Sequence, residues 1–156
     1  MLLSFFQWCY NTWTGAGIRG STWLFPFIEA IHLLGLVMIG GTVLLVDLRL
    51  AGIALQRQRV EDLARGARPW LIGSIITMLV TGFLLMESEA LRCFYSPAFW
   101  MKMIFLGLAI VFTFAIRQRV ALGEIPTAPF WSKAVGIVSI ILWSGVGIGG
   151  RGIAFF

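Results

Sequence analysis

Apolar residues fill four stretches of the chain almost without interruption, while arginine, glutamate, glycine and proline collect between them. The apolar runs fall at about residues 25–48, 70–86, 98–116 and 134–150. At 1.5 Å per residue, about 20 helical residues cross a hydrocarbon core about 30 Å thick. Each run therefore predicts a membrane-spanning helix. Upstream, residues 1–14 place Leu2, Phe5, Phe6, Cys9 and Trp13 on one helical face and Ser4, Gln7, Asn11 and Thr14 on another. That segment is too short and too polar to span, and its tryptophans suit the headgroup region, so it predicts an amphipathic helix lying in the interface. Gly15, Gly17 and Gly20 read as a flexible link carrying Arg19, and Pro26 suits the first turn of span one. The expected architecture is all-α and a single domain, 1–156: an integral membrane four-helix up-and-down bundle with an N-terminal interfacial helix.

Composition strengthens this picture and charge orients it. Hydrophobic residues make up 59% of the chain and mean hydropathy is +0.91, well above soluble domains. A net charge of +5 with a pI of about 10.0 would suggest nucleic acid in a soluble protein. Here the basic residues lie between apolar runs and read as topology determinants, so the implied partner is the lipid bilayer and not nucleic acid. Arg49, Arg57, Arg59, Arg65 and Arg68 crowd the connection between spans one and two, and Arg117, Arg119 and Lys133 bracket that between spans three and four. These two loops are expected on the cytoplasmic side of a bacterial inner membrane, with both termini periplasmic. The loop with Glu87, Glu89, Arg92, Cys93 and Pro97 carries little net charge and belongs outside. The N-terminus lacks the basic region and small-residue cleavage site of a signal peptide. Cys9 and Cys93 lack CxxC spacing and companion histidines, which argues against zinc or iron–sulfur. Facing an oxidising compartment, they are candidates for a disulfide tying the N-terminal helix to the outer loop.

Candidate chemistry begins in span one, FPFIEAIHLLGLVMIGGTVLLVDLRL, where Glu29 and His32 lie inside the apolar run. A charge in lipid costs about 2.5 to 3.5 kcal/mol even on lenient scales, so such groups should face protein, water or a cofactor. Helical spacing puts Glu29, His32, Leu36, Gly40, Val43 and Asp47 within roughly 80° of arc. Lys102, Thr81 and Trp143 are expected at the same outer depth. His32 is the only histidine, which excludes two bis-histidine haems but leaves room for one b-type haem with a single axial imidazole. Water, Lys102, a methionine or a partner chain would supply any sixth ligand. Lys102, Arg19, Arg92 and Arg151 are candidates for the propionates, and Glu29 for a hydrogen bond to the imidazole.

Other readings compete with this one. Glu29-x-x-His32 has di-iron spacing but lacks further carboxylates at its depth. Met86, Met101 and Met103 offer soft ligands for copper. A purely structural reading makes Glu29 and Lys102 an interhelical ion pair, with His32 hydrogen-bonded beside them. Asp47 and Arg49 read as boundary residues orienting the helix end. Ser74, Thr77, Thr81 and Ser88 form a stripe that should face other helices. Gly145 and Gly149 have GxxxG spacing for a close contact, either inside the chain or in a homo-oligomer. Spans two and four also echo each other, Gly73 aligning with Gly136 and Thr81-Gly82 with Ser144-Gly145, as a parallel duplication would leave.

The pattern FPFIEAIHLLG, GGTVLLVDLRLAG, ARPW, TGFLLM and SPAFWMKMIFL resembles an uncharacterised family of small four-helix bacterial inner-membrane proteins. More distantly, His32 and Phe99-Trp100-x-Lys102 are similar to HemJ-type protoporphyrinogen oxidases and CopD-type copper proteins. The HemJ resemblance implies that His32 ligates haem b and that Lys102 serves activity. Glu29 and the DLRL boundary depart from that pattern and leave the substrate open. The expectation is a haem b redox protein with its site near the outer face. Lys102 and Glu29 are its candidate catalytic groups, His32 its metal ligand, and Lys102, Trp143, Arg151 and Arg92 its further cofactor contacts. Its partner would be a quinone or a periplasmic redox carrier. The alternatives are a copper-handling or transport protein and a non-catalytic structural subunit.

Overall fold

The computed structural model describes residues 1–153; residues 154–156, at the C-terminus expected on the periplasmic side, lie outside the described residues. The described chain is helical with no strand. It comprises α1 (Leu2–Tyr10), α2 (Trp13–Gly20), α3 (Leu24–Leu50), α4 (Val60–Ser88), α5 (Ala90–Tyr95), α6 (Pro97–Phe112), a π turn (Thr113–Arg117), α7 (Gln118–Ala121) and α8 (Pro129–Gly152). Four stretches are long and apolar enough to cross a membrane: Leu24–Leu50, Val60–Ser88, Pro97–Ala121 and Pro129–Gly152. Only 17% to 33% of each apolar window is buried inside the protein. The remaining apolar surface, including Leu33, Leu34, Val37, Ile76, Leu108 and Ile141, is what a lipid-facing bundle presents.

The spans outrun their apolar cores. Residues 60–69, read from sequence as connector, form the first turns of α4, which passes through Pro69. Glu61 and Asp62 in its first turn suit the helix dipole. Val60, Leu63, Ala64 and Ala67 pack with Val120, Ala121, Leu122 and Ile125 in a cluster at this end of the bundle. Pro69 removes one helical hydrogen bond near the polar end of the helix, where the freed carbonyl is within reach of water. The true connector is residues 51–59. Glycines at positive φ close both helix ends here: at Gly52 (φ 74) and Gly123 (φ 74) the chain turns so that Ile53 N–H reaches Leu48 O and Glu124 N–H reaches Arg119 O.

At the opposite end the N-terminal segment departs from expectation. α1 does not simply lie on lipid: Phe6 and Cys9 are buried against Ala90, Cys93 and Phe99, while Leu2, Trp8 and Trp13 stay exposed. The glycines expected to form a flexible link are helical, in α2, because Thr12 Oγ1 accepts from Gly15 N–H (3.2 Å) and caps it. A Cβ at Gly15 would lie 2.9 Å from Glu87 O, so α2 meets the end of α4 backbone to backbone. Arg19 fastens this contact by donating to Ser88 O (3.0 Å), Glu87 O (3.3 Å) and Tyr10 O (2.6 Å), with its guanidinium over the Tyr10 ring. A cation suits the exposed carbonyls of a helix C-terminus.

Between these ends α3 packs on α4 and α8, and α6 packs on α8. The core is Ile39, Val43, Leu71, Ile75, Met78, Ala109, Trp143 and Val146. The GxxxG pair works within the chain: Gly145 makes room for the Phe105 ring and Gly149 for the backbone of Lys102. Gly82 of α4 receives the His32 ring of α3 in the same way, so one half of the echo between spans two and four recurs as a packing device. The other half does not, since Gly73 faces open space whereas Gly136 abuts Asp47 O. Of the predicted stripe Ser74, Thr81 and Ser88 are buried, whereas Thr77 is only half-buried.

Candidate functional site

His32 sits two turns into α3 and leans onto α4. Its Nδ1 lies 2.8 Å from Thr81 Oγ1, and the single hydroxyl proton of Thr81 is donated to Thr77 O at 2.6 Å. Thr81 therefore accepts from His32, which fixes the neutral imidazole as the Nδ1–H tautomer. Nε2 keeps its lone pair with no partner among the described residues, the state of an imidazole ready to act as a base or ligand. Gly82 supports the ring from below: a Cβ there would lie 3.2 Å from His32 Cε1.

Lys102 lies in the second turn of α6, partly buried, with Gly150 beside its Cε and Nζ. Its charge is felt at both His32 and Cys93. Among the described residues the ion pairs are Arg59–Glu61, Arg117–Asp47 and Arg119–Glu124, so the Glu29–Lys102 pair does not form. Glu29 is exposed and does not touch the imidazole, whose Nδ1 is taken by Thr81. Residues three apart on a helix differ by about 60°, and the neighbour that covers His32 leaves Glu29 at the rim.

The remaining predicted contacts scatter. Arg19 is committed to backbone carbonyls. Arg92 and Arg151 are exposed at the same end as Lys102. Trp143 is buried deeper, where its indole N–H donates to Thr113 Oγ1 (3.1 Å). Of the methionines, Met86 and Met103 pack in the α1/α5 cluster, whereas Met101 is half exposed and does not join them. Cys9 and Cys93 share that cluster as free thiols, so the candidate disulfide is not formed. Among the described residues no group of three or more His, Cys, Asp or Glu side chains comes together as a metal site, which leaves Glu29-x-x-His32 without di-metal partners.

A second polar centre, missed by sequence reasoning, lies in the other half of the bundle. The sequence reads Arg117 as a loop residue that sets topology and Asp47 as a membrane-boundary residue. Instead both are interior, 1% and 0% exposed, with Arg117 Nε donating to Asp47 Oδ1 at 2.6 Å. Arg117 Nη2 also donates to Val43 O (3.2 Å). The π turn over Thr113–Arg117 inserts an extra residue, rotating the C-terminal end of this span by about 100° and bringing Arg117 inward. Ser139 flanks Asp47, yet among the described residues Ser139 Oγ, Asp47 Oδ2 and Gln118 Oε1 are buried without a partner in good hydrogen-bond geometry. Arg49 keeps its boundary role and braces the connector by donating to Gln58 O (2.7 Å). The available signal was Asp47 itself, on the same face as His32, which asked for a cation opposite.

Comparison with known proteins returns no curated protein and no solved structure. Neither comparison supports the resemblance to HemJ-type and CopD-type proteins read from His32 and Phe99-Trp100-x-Lys102. One family model matches residues 5–156, nearly the whole chain. The chain belongs to that family, described as a family of unknown function (DUF6644).

Proposed function

We propose that this membrane protein binds one b-type haem through His32 Nε2 and handles electrons near the outer face of a bacterial inner membrane. The observation that carries the reading is the Thr77–Thr81–His32 relay, which commits Nδ1 and leaves Nε2 of this half-buried ring without a partner among the described residues. The residues present fit this group. Haem brings its own equatorial nitrogens and needs only one protein base, which suits a chain with one histidine and no clustered ligand set among its described residues. Lys102, a partly buried cation without a carboxylate partner among the described residues, suits an anionic group such as a propionate. Bound haem would supply one-electron transfer. The chain's own work is to hold Nε2 in place through Thr81, keep Gly82 clear beneath the ring and set the local charge through Lys102.

The arginine-rich connections are the basis for assigning the α1/α5 end to the periplasm, with both termini there and a quinone or redox carrier as partner. Purified protein should show a Soret band with about one haem per chain. Lys102→Ala should keep the haem and shift its potential, while Thr81→Val should weaken haem retention. Protein purified after haem-supplemented expression with neither a Soret band nor extractable haem would refute the reading and favour a structural subunit.

A further inference from the structure

The arginine-rich end of the bundle holds a pocket of about 440 Å³, where the end of α3, the start of α4, residues 120–123 and the start of α8 meet. Leu50, Val120 and Ala121 give it a buried apolar floor. Around that floor stand Arg49 of α3, Arg59 at the start of α4 and Lys133 of α8, with one carboxylate, Glu61. Three cations against one carboxylate leave a net charge of +2. The lysine does not simply extend into solvent: a Cβ at Gly52 would lie 3.4 Å from Lys133 Cε, so its side chain lies across the connector.

We propose that this pocket binds the phosphodiester headgroup of an anionic phospholipid. Arg49 spends only Nε, on Gln58 O at 2.7 Å, which holds the guanidinium in place while its Nη groups stay available to an acceptor. Lys133 has no carboxylate partner among the described residues. Glu61 is countered by Arg59 at 3.0 Å. A fixed guanidinium fork and a mobile ammonium are what phosphate oxygens accept from. The starts of α4 and α8 add the positive ends of two helix dipoles, though the side-chain cations carry the site.

The surroundings favour a lipid over a free ion. Phe130 and Trp131, in the first turn of α8 beside Pro129 and Ser132 of the pocket, are 73% and 63% exposed, the placing of aromatic residues at headgroup depth. The apolar floor suits glycerol and the first acyl carbons better than a hydrated anion, and basic pockets between membrane helices take lipid phosphates. None of these residues belongs to the His32 site, so the inference stands apart from the haem.

The experiment is native mass spectrometry of the delipidated full-length protein in neutral detergent, titrated with dioleoylphosphatidylglycerol. Dioleoylphosphatidylethanolamine and inorganic phosphate serve as comparisons. One phosphatidylglycerol per chain should bind at least about tenfold more tightly than phosphatidylethanolamine, and millimolar phosphate should not displace it. Arg49→Gln and Lys133→Gln should each weaken binding about fivefold, the worth of one cation near a lipid surface. Glu61→Gln should tighten it by a similar factor. Arg65→Gln, which removes an exposed arginine of α4 outside the pocket, should leave it unchanged. Circular dichroism checks that each variant is folded, and Lys133, exposed and in no ion pair among the described residues, can be replaced without loss of a structural contact. The proposal is overturned if the two lipids bind alike, if phosphate displaces the lipid, if folded Lys133→Gln binds unchanged, or if Arg65→Gln weakens binding as much, the mark of a diffuse basic surface.

Discussion

Removing one member of the Asp47–Arg117 pair is the sharpest perturbation available in this bundle. Both side chains are sealed from solvent and joined at 2.6 Å, and the Arg117 guanidinium has one further partner, Val43 O. Asp47→Asn keeps the volume and strands a guanidinium in an apolar interior. Arg117→Met does the reverse, leaving a buried carboxylate with Ser139 beside it and no cation. Either change should destabilise the protein by about 3–5 kcal/mol, the range for breaking a buried pair. Asp47→Leu with Arg117→Met removes both charges and should recover most of that loss or exceed the starting stability by about 1 kcal/mol or more. Reversible unfolding in mixed dodecyl maltoside and dodecyl sulfate micelles, followed by circular dichroism, gives the double-mutant cycle. An exposed pair would contribute less than about 1 kcal/mol. Single variants that cost no more than that, or a double variant as damaged as their sum, would refute a sealed and mutually dependent pair.

Other consequences can be checked separately. Gly136→Ala would bring a Cβ within 2.7 Å of Asp47 O, a backbone atom, whereas Gly73→Ala meets nothing; thermal melting should show the first destabilised by at least about 1 kcal/mol and the second unchanged or more stable. Cys93, raised to about 11, should react with iodoacetamide slowly at pH 7 and about tenfold faster per pH unit until its thiolate saturates near that value; a flat profile between pH 7 and 9 contradicts the burial argument. Reporter fusions should place both termini on the periplasmic side, and a cytoplasmic C-terminus would overturn the proposed orientation.

The helices were legible because lipid demands long unbroken apolar runs, and such runs survive any detail of packing. Their ends were not. Val60 to Pro69 is polar enough to read as connector, and its helix depends on docking Leu63 and Ala64 against Val120 and Ala121, a contact over fifty residues distant in sequence. Arg117 was misplaced for a related reason: an arginine after an apolar run ordinarily marks the membrane edge, and only the π turn and the carboxylate of Asp47 hold it inside. His32 was visible as the lone imidazole in lipid, but its tautomer depends on how Thr81 spends its one proton. The packing cluster that holds both Cys9 and Cys93 was invisible because the two stand 84 positions apart and enter it through helix docking alone.

The proposal that His32 Nε2 would hold a b-type haem is tested most directly by the dithionite-reduced minus oxidised spectrum of His32→Gly. That variant should be folded by circular dichroism and lack the Soret and α bands of the unaltered protein. Millimolar imidazole supplied with haem should restore them by filling the space that the side chain leaves. A His32→Gly protein that retains full haem without added imidazole would contradict the assignment.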